Sequence, residues 1–276
     1  MRDDPSTTCA HDRTRFEVLP FSSVEEQARR LPGPVRLTVT CPPKHGPDRA
    51  VEFAARLHAL GHPVTVHVAA RMVRDRAHLN ALLAGMADAG SEDLFLIGGD
   101  AERPLGPYSS AGDLLRVLDE HPRRPRTIGI AGYPEGHPAI PSEELEQAVW
   151  EKSRSADYVT TQMCFDSDAV RGWLERQRRR GMTLPVLIGM PGKVSRRRLL
   201  EMSVRIGVGP SVRFVRKQHG LLGFLSRRST LDRLDEALAP LLGDPRLDIA
   251  GVQYFTFNQL VDTWEWHAGD REDRAA

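Results

Sequence analysis

Short runs of apolar and β-branched residues alternate along the chain with longer stretches in which apolar residues recur every three to four positions. The short runs have the length and composition of buried strands, and glycine or proline follows most of them. They predict eight strands, at residues 14–19, 35–41, 64–69, 93–97, 126–131, 158–163, 185–188 and 251–257. The alternation of the two patterns continues from one end of the chain to the other.

The longer stretches have the periodicity of amphipathic helices. They predict seven helices, at residues 48–60, 75–89, 114–118, 142–154, 168–180, 195–206 and 230–242. Strands and helices that alternate strictly build a parallel sheet, and eight strands close naturally into a (β/α)8 TIM barrel. An open doubly wound sheet is the alternative, because periodicity does not report closure.

The fold prediction is a single barrel domain at residues 13–268. Charged segments at 1–12 and 269–276 are expected to be loose tails. The stretch 208–228 is longer than an ordinary connection, so we interpret it as a loop with a short extra helix over the barrel mouth.

Composition and charge exclude several classes of function. The 276 residues include 38 basic and 37 acidic side chains, so the net charge of +1 gives no global attraction for nucleic acid or anionic lipid. The arginine clusters at 178–180 and 196–198 fit solvated helix faces better than a phosphate site. No apolar run is long enough to span a membrane, and no secretory signal is found, so a cytoplasmic protein is expected. The three widely spaced cysteines favour a reducing compartment and argue against a zinc site.

Polar residues stand where several predicted strands end. Glu17 lies near the end of the first strand, His67 in the third, Asp100 just after the fourth and Gln162 in the sixth. A fifth group, in the loop 131–138, has a carboxylate and an imidazole two residues apart. Each residue has a plain structural alternative, such as a turn cap or a satisfied core histidine. Because the carboxyl ends of barrel strands share one face, their joint placement predicts an active site there.

Common cofactor and nucleophile motifs are missing from the sequence. There is no P-loop, no HExxH and no Gly-x-Ser-x-Gly elbow, and the glycines at 207–210 follow a helix instead of a strand and lack the third glycine of a dinucleotide fingerprint. The residues therefore predict an α/β barrel enzyme with a carboxylate-rich mouth and no metal.

Three segments of the chain resemble the methylenetetrahydrofolate reductase family. Ile130-Ala131-Gly132-Tyr133-Pro134-Glu135-Gly136-His137-Pro138 is similar to the family's signature after strand five. Asp157-Tyr158-Val159-Thr160-Thr161-Gln162-Met163-Cys164-Phe165-Asp166 is similar to its strand-six segment, and Tyr254-Phe255-Thr256-Phe257-Asn258 to its last strand. Phe16-Glu17 matches its opening pair. The resemblance extends from residue 16 to about residue 258.

The resemblance implies reduction of 5,10-methylenetetrahydrofolate to 5-methyltetrahydrofolate. By the same resemblance, Glu17 is the general acid and Asp100 stabilises the iminium formed on the substrate. Gln162, Thr40 and Tyr254 are the implied substrate contacts. The folate substrate could also carry a polyglutamate tail, for which the candidate contacts are Arg213, Arg216 and Lys217. The alternative is that these three residues are solvated charges on a helix.

The departures from the family pattern concern the hydride donor. Members that use FAD carry arginine where this chain has Gly98, and their strand-three segment differs after His67. The remaining implied cofactor contacts are Tyr108, Tyr133, His137 and Lys152. These features resemble the flavin-independent actinobacterial branch, in which NADH or NADPH gives its hydride directly to the folate. We favour that interpretation.

The alternatives are the same reaction through bound FAD, a non-catalytic folate-binding or regulatory barrel, and a deazaflavin-dependent reductase of a related barrel type. Of these, FAD is the doubtful cofactor because the arginine is missing, and the signature loop argues against deazaflavin. The sequence carries no discriminator between NADH and NADPH and no interface signature that would predict an oligomer.

Overall fold

A closed barrel of eight parallel strands forms the centre of the computed structural model, which describes residues 14–194 and 230–275. Neighbouring strands follow chain order, and β1 pairs with β8 to close the sheet. The strands are β1 (Arg15–Val18), β2 (Leu37–Val39), β3 (Val64–Ala69), β4 (Asp93–Ile97), β5 (Thr127–Gly132), β6 (Tyr158–Met163), β7 (Val186–Pro191) and β8 (Ile249–Phe255). Closure confirms the single-domain (β/α)8 barrel and excludes the open sheet.

Helices surround the barrel and bury their apolar faces against it. In the described residues they are α1 (Ser22–Arg29), α2 (Gly46–His58), α3 (Arg76–Asp88), α4 (Ala111–Asp119), α5 (Ser142–Lys152), α6 (Ser167–Arg179), α7 (Thr230–Leu242) and α8 (Leu260–Ala275). Local side chains fix several of their starts. Asp75 accepts a hydrogen bond from the His78 backbone N–H, and Ser110 and Asp113 form a capping box at α4.

Helices α1 and α8 were not predicted from the sequence. Helix α1 has only Val24 and Ala28 fully buried, which leaves almost no periodic stripe to detect. Helix α8 begins with buried Leu260 but ends in charged residues, and its backbone continues through 269–275, the range expected to be a loose tail. The tail at 1–12, the helix at 195–206, the glycines at 207–210, the mouth loop at 208–228 and Arg213, Arg216 and Lys217 lie outside the described residues.

Alternate residues of each strand face opposite sides of the barrel wall. On β1, Phe16 and Val18 are buried against the helices, whereas Arg15 and Glu17 point into the barrel, where they contact residues of other strands. Glu17 pairs in register with Thr38 of β2 and with Phe255 of β8. This alternation decides which polar residues reach the barrel interior.

A polar cluster closes the barrel at the end where the strands begin. Arg15 donates to the Tyr158 hydroxyl at 2.6 Å and pairs with an Asp93 carboxylate oxygen at 2.9 Å. Asp93 also accepts from the hydroxyls of Tyr158 and Thr65 at 2.9 and 2.8 Å. A Cβ on Gly129 would overlap the Tyr158 ring, so the glycine makes room for this side chain. The cluster leaves the opposite, carboxyl end of the strands as the entrance.

No helix in the described part of the chain is both long enough and apolar enough to cross a membrane.

Candidate active site

Glu17 is a carboxyl group buried inside the barrel. Its Oε2 accepts a hydrogen bond from Gln253 Nε2 at 2.9 Å and lies 3.9 Å from His67 Nε2. The Gln253 carbonyl in turn accepts from the Thr38 hydroxyl at 3.4 Å. The Glu17 carboxyl group of β1 is therefore in contact with Gln253 of β8 and His67 of β3, and Gln253 is bonded in turn to Thr38 of β2. The pairing of the strands fixes the position of each residue along the barrel axis.

Burial makes both titratable groups at this point neutral near pH 7. Desolvation raises the pKa of Glu17 to about 8, although the hydrogen bond from Gln253 acts in the opposite direction. Desolvation, together with the positive charge of Arg15, lowers the pKa of His67 to about 3. The contact between Glu17 and His67 is therefore between a protonated acid and a neutral imidazole, and it is not an ion pair.

Three polar atoms on interior-facing positions have no hydrogen-bond partner among the described residues. They are Thr40 Oγ1, His67 Nε2 and Thr160 Oγ1, and each is buried. Buried polar atoms in folded proteins are nearly always paired, and leaving one unpaired costs about 1–3 kcal/mol. These atoms are therefore positioned to hydrogen-bond a molecule that enters the barrel mouth. Thr40 and His67 were singled out from the sequence, and Thr160 was not.

The turn after β4 is open where the sequence has Gly98. A Cβ on Gly98 would meet no atom of the described residues within 4 Å, whereas Gly99 has a φ of +89° and a Cβ there would lie 2.8 Å from Ala69 Cβ. The Gly98 carbonyl accepts from the Arg71 backbone N–H at 3.0 Å. Arg71 Nε is buried and has no partner in the described part of the chain. An unpaired guanidinium nitrogen was not foreseen here.

Asp100 lies exposed at the mouth, close to Tyr133. Burial raises the pKa of the Tyr133 hydroxyl, and the negative charge of Asp100 raises it further. The ring of His137 packs edge-on against Tyr133 with 5.6 Å between centroids. The loops after β4 and β5 thus bring these three predicted residues together.

The loop after β5 is fastened to the loop after β6 by its carboxylate. Glu135 Oε1 accepts from the backbone N–H groups of Phe165 and Asp166, and the Asp166 side chain caps the first turn of α6. Within β6, Gln162 Oε1 accepts from the Met163 N–H at 2.9 Å, and no described residue accepts from its amide N–H2. Glu135 therefore has a structural function that the motif did not reveal.

Two predicted site residues lie away from the barrel interior. Tyr254 is on the helix-facing side of β8, where it packs against Phe16 and its hydroxyl is 3.3 Å from His267 Nδ1. Its position does not fit a substrate contact, because side chains on this face point away from the mouth. Tyr108 belongs to the main hydrophobic core and is 7% exposed, so it does not fit a cofactor contact either.

Lys152 lies at the end of α5 beside the start of α4. Its Cγ is 4.0 Å from the position that a Cβ on Gly112 would occupy. Burial lowers the pKa of Lys152 to about 8, so part of its population is uncharged near that pH. The structure does not bring this lysine into contact with Glu17 or His67.

The sequence analysis missed Gln253, which donates a hydrogen bond to Glu17, and Thr38, which donates to Gln253. The available signal was a polar residue in the middle of an apolar strand, which Gln253 is in the run Gly251-Val252-Gln253-Tyr254. The described residues contain no group of three or more histidine, cysteine or acidic side chains that could hold a metal ion.

Comparison with known proteins gives a family match and a structural likeness. A family model described as methylenetetrahydrofolate reductase matches residues 32–202. Methylenetetrahydrofolate reductase 2 of Saccharomyces cerevisiae is 28% identical over 113 residues, which cover 37% of this chain and 19% of that protein. Methylenetetrahydrofolate reductase 1 of Schizosaccharomyces pombe is 25% identical over 122 residues, which cover 41% and 20%. The matched stretch is thus about a fifth of the length of each yeast relative.

A solved structure shares the fold over nearly its whole length. It is a protein from Clostridium thermocellum described as binding two copies of 5-methyl-5,6,7,8-tetrahydrofolic acid, with a TM-score of 0.61. The superposition covers 93% of this chain and 96% of that one at 11% sequence identity. At this identity the likeness establishes the common fold and nothing about the ligand.

Proposed function

Because this chain belongs to the methylenetetrahydrofolate reductase family, we propose that it reduces 5,10-methylenetetrahydrofolate to 5-methyltetrahydrofolate with hydride taken directly from NADH or NADPH. The observation that carries this function is the buried carboxyl group of Glu17, whose pKa is raised to about 8. A carboxyl group that keeps its proton at neutral pH inside a barrel mouth is suited to act as a general acid.

Glu17 supplies the proton that opens the five-membered ring of the substrate. The proton goes to the amine nitrogen that leaves the methylene carbon, and the other ring nitrogen becomes part of a methylene iminium. Such general acid catalysis is typically worth about 10² to 10⁴ in rate. The carboxylate that remains regains its proton from solvent before the next turnover, so the group is unchanged overall.

Asp100 and Gln162 act on the substrate as it changes charge. The carboxylate of Asp100, at the mouth beside Tyr133, places a negative charge near the developing iminium without reorganisation. The N–H2 of Gln162, which has no acceptor among the described residues, would donate to the polar edge of the pterin ring. Thr40 Oγ1 and Thr160 Oγ1, which have no partner in the described residues, offer two more hydrogen bonds inside the mouth.

Gly98 leaves the turn after β4 without the arginine side chain that a flavin would contact, which supports a nicotinamide as the hydride donor. A reduced nicotinamide supplies one hydride, two electrons with one proton, to the methylene carbon and leaves as the oxidised form. The proposed contacts of the nicotinamide cofactor are His67, Gly98, Tyr133, His137 and Lys152. Arg71 joins them, because its backbone contacts Gly98 and its buried Nε lacks a partner in the described part of the chain.

The test of this function is an absorbance spectrum followed by an assay without flavin. We expect the purified protein to be colourless and to oxidise NADH or NADPH when methylenetetrahydrofolate is supplied, with 5-methyltetrahydrofolate as the product. A flavin spectrum, or turnover that requires added FAD, would assign the hydride to a flavin instead. A colourless protein that binds 5-methyltetrahydrofolate but turns over under neither condition would be a folate-binding barrel.

The pH dependence of turnover follows from the protonation of Glu17. We expect kcat/KM for methylenetetrahydrofolate to be level below about pH 7 and to fall about tenfold per pH unit well above pH 8, because only the acid form of Glu17 in the free protein donates a proton. The measurement is kcat/KM for the folate at saturating nicotinamide from about pH 6 to about pH 10. A kcat/KM that instead rises through pH 8 would show that the carboxylate is the active form.

A further inference from the structure

On the basis of the function proposed above, we propose that Gln253 is a positioning residue that fixes Oε1 of Glu17 as the oxygen carrying the transferable proton. Thr38 assists it by holding the Gln253 amide. Neither residue belongs to the segments by which the chain resembles its family, and neither reaches the mouth itself.

The contacts define different tasks for the two oxygens of Glu17. Oε2 accepts the N–H of Gln253 at 2.9 Å and is also the oxygen that lies 3.9 Å from His67. An amide N–H donates more strongly to the carbonyl oxygen of a carboxylic acid than to its hydroxyl oxygen, so the proton resides on Oε1. With the proton always on one oxygen, every protonated Glu17 presents its O–H in the same direction.

Gln253 is itself held in place. It is 1% exposed, and its carbonyl accepts from the hydroxyl of Thr38, which is fully buried. Strands β8 and β2 are the two neighbours of β1. The hydrogen bond between Thr38 of β2 and the Gln253 amide of β8 therefore connects the strands on either side of Glu17. An amide fixed at its carbonyl end keeps its N–H2 directed at Glu17.

The charged and titratable groups around Glu17 do not supply this positioning. His67 on β3 is neutral near pH 7, because its pKa is about 3. Arg15 lies two residues earlier on β1 and is paired with Asp93 of β4 and Tyr158 of β6. The adjacent strands β2 and β8 place Thr38 and Gln253, which do not titrate, against the carboxyl group. Among the described residues, the hydrogen bond to the Glu17 carboxyl group comes from Gln253, whereas the Thr256 hydroxyl donates to the Glu17 backbone carbonyl.

The experiment compares Gln253→Met with the parent protein, since methionine keeps the length of the side chain and removes the donor. Glu17 is titrated in the free protein by pH-difference infrared spectroscopy, and Glu17→Gln identifies its carboxyl band. We expect the Glu17 titration of Gln253→Met to move up by about one pH unit, because the carboxylate loses its hydrogen bond. We expect kcat to fall about tenfold with little change in KM.

The conservative pair at Thr38 and a remote glutamine supply the controls. Thr38→Ser keeps the hydroxyl and should titrate like the parent, whereas Thr38→Val should shift the titration upward by less than Gln253→Met does. Gln177 on α6 is fully buried and its amide has no partner in the described residues, so Gln177→Met removes the same atoms away from the site. Gln177→Met should leave both the titration and kcat as in the parent.

The outcomes separate the positioning of Glu17 from the proposed reaction. An unshifted Glu17 band in both Gln253→Met and Thr38→Val would overturn the assignment, whatever the activity. A shifted band in a parent protein that reduces no folate would leave the positioning intact and contradict the function. If Gln253→Met fails to fold, Thr38→Val and Thr38→Ser decide the question by themselves.

Discussion

Glu17→Gln is expected to lower kcat for methylenetetrahydrofolate reduction by about 10² to 10⁴, with folate affinity largely unchanged. The substitution keeps the size of the side chain and its place inside the barrel but removes the proton that opens the substrate ring. Because Oε2 already accepts from Gln253, the new amide can still present its carbonyl to that donor. The measurements are kcat by nicotinamide absorbance and the Kd of 5-methyltetrahydrofolate by calorimetry.

Glu52→Gln is the matched control for this prediction. Glu52 lies exposed on α2 and pairs at 3.5 Å with Arg49, far from the interior of the barrel. It should turn over like the parent protein. Near-normal kcat in Glu17→Gln would show that another group is the acid, and near-normal kcat together with a weakened folate affinity would assign Glu17 to binding.

Asp93→Asn is expected to lower the free energy of unfolding by about 3 kcal/mol. Asp93 accepts from Arg15, Tyr158 and Thr65 at the closed end of the barrel. Asparagine keeps the shape but leaves the guanidinium of Arg15 buried with no negative charge beside it. Removing one partner of a buried ion pair is more damaging than replacing both. Urea unfolding near pH 7 measures the loss.

Two further variants test the reason for that loss. Adding Arg15→Met to Asp93→Asn removes the buried, unpaired charge of Arg15 and should restore more than half of the lost stability. Glu175→Gln breaks an exposed pair with Arg179 at 3.9 Å and should cost less than about 0.5 kcal/mol. A loss in Asp93→Asn no larger than in Glu175→Gln would mean that the cluster contributes little to stability.

The barrel was predictable because its signal is repeated. Eight strands separated by helices leave few topologies, and β3, β4, β6 and α7 have the bounds predicted for them. Helix α1 was missed because two buried residues do not make a period that stands out from its surroundings. Closure itself could not be read from the sequence, since it depends on β1 and β8 meeting across the whole length of the chain.

The candidate site was predictable where a residue's position along its own strand is enough to place it at one end of the barrel. Glu17 and His67 were candidates for one end of the barrel because of their positions along their strands, and in the structure Glu17 Oε2 lies 3.9 Å from His67 Nε2. Tyr254 was misassigned because it belongs to a segment that resembles the family, whereas the alternation of β8 turns it toward the helices. Its neighbour Gln253 faces the interior in its place.

The sequence by itself determined the alternation of elements, the family of the chain and the strand ends at which polar residues gather. Those properties are local, because they depend on periodicity and on short motifs. Only the tertiary structure decided which face each strand residue presents, that Gln253 reaches Glu17 from a residue 236 positions away, and that Arg15 and Asp93 close the far end. Burial raises the pKa of Glu17, against the opposing effect of the hydrogen bond from Gln253, and this desolvation arises only when the whole barrel has closed around the carboxyl group.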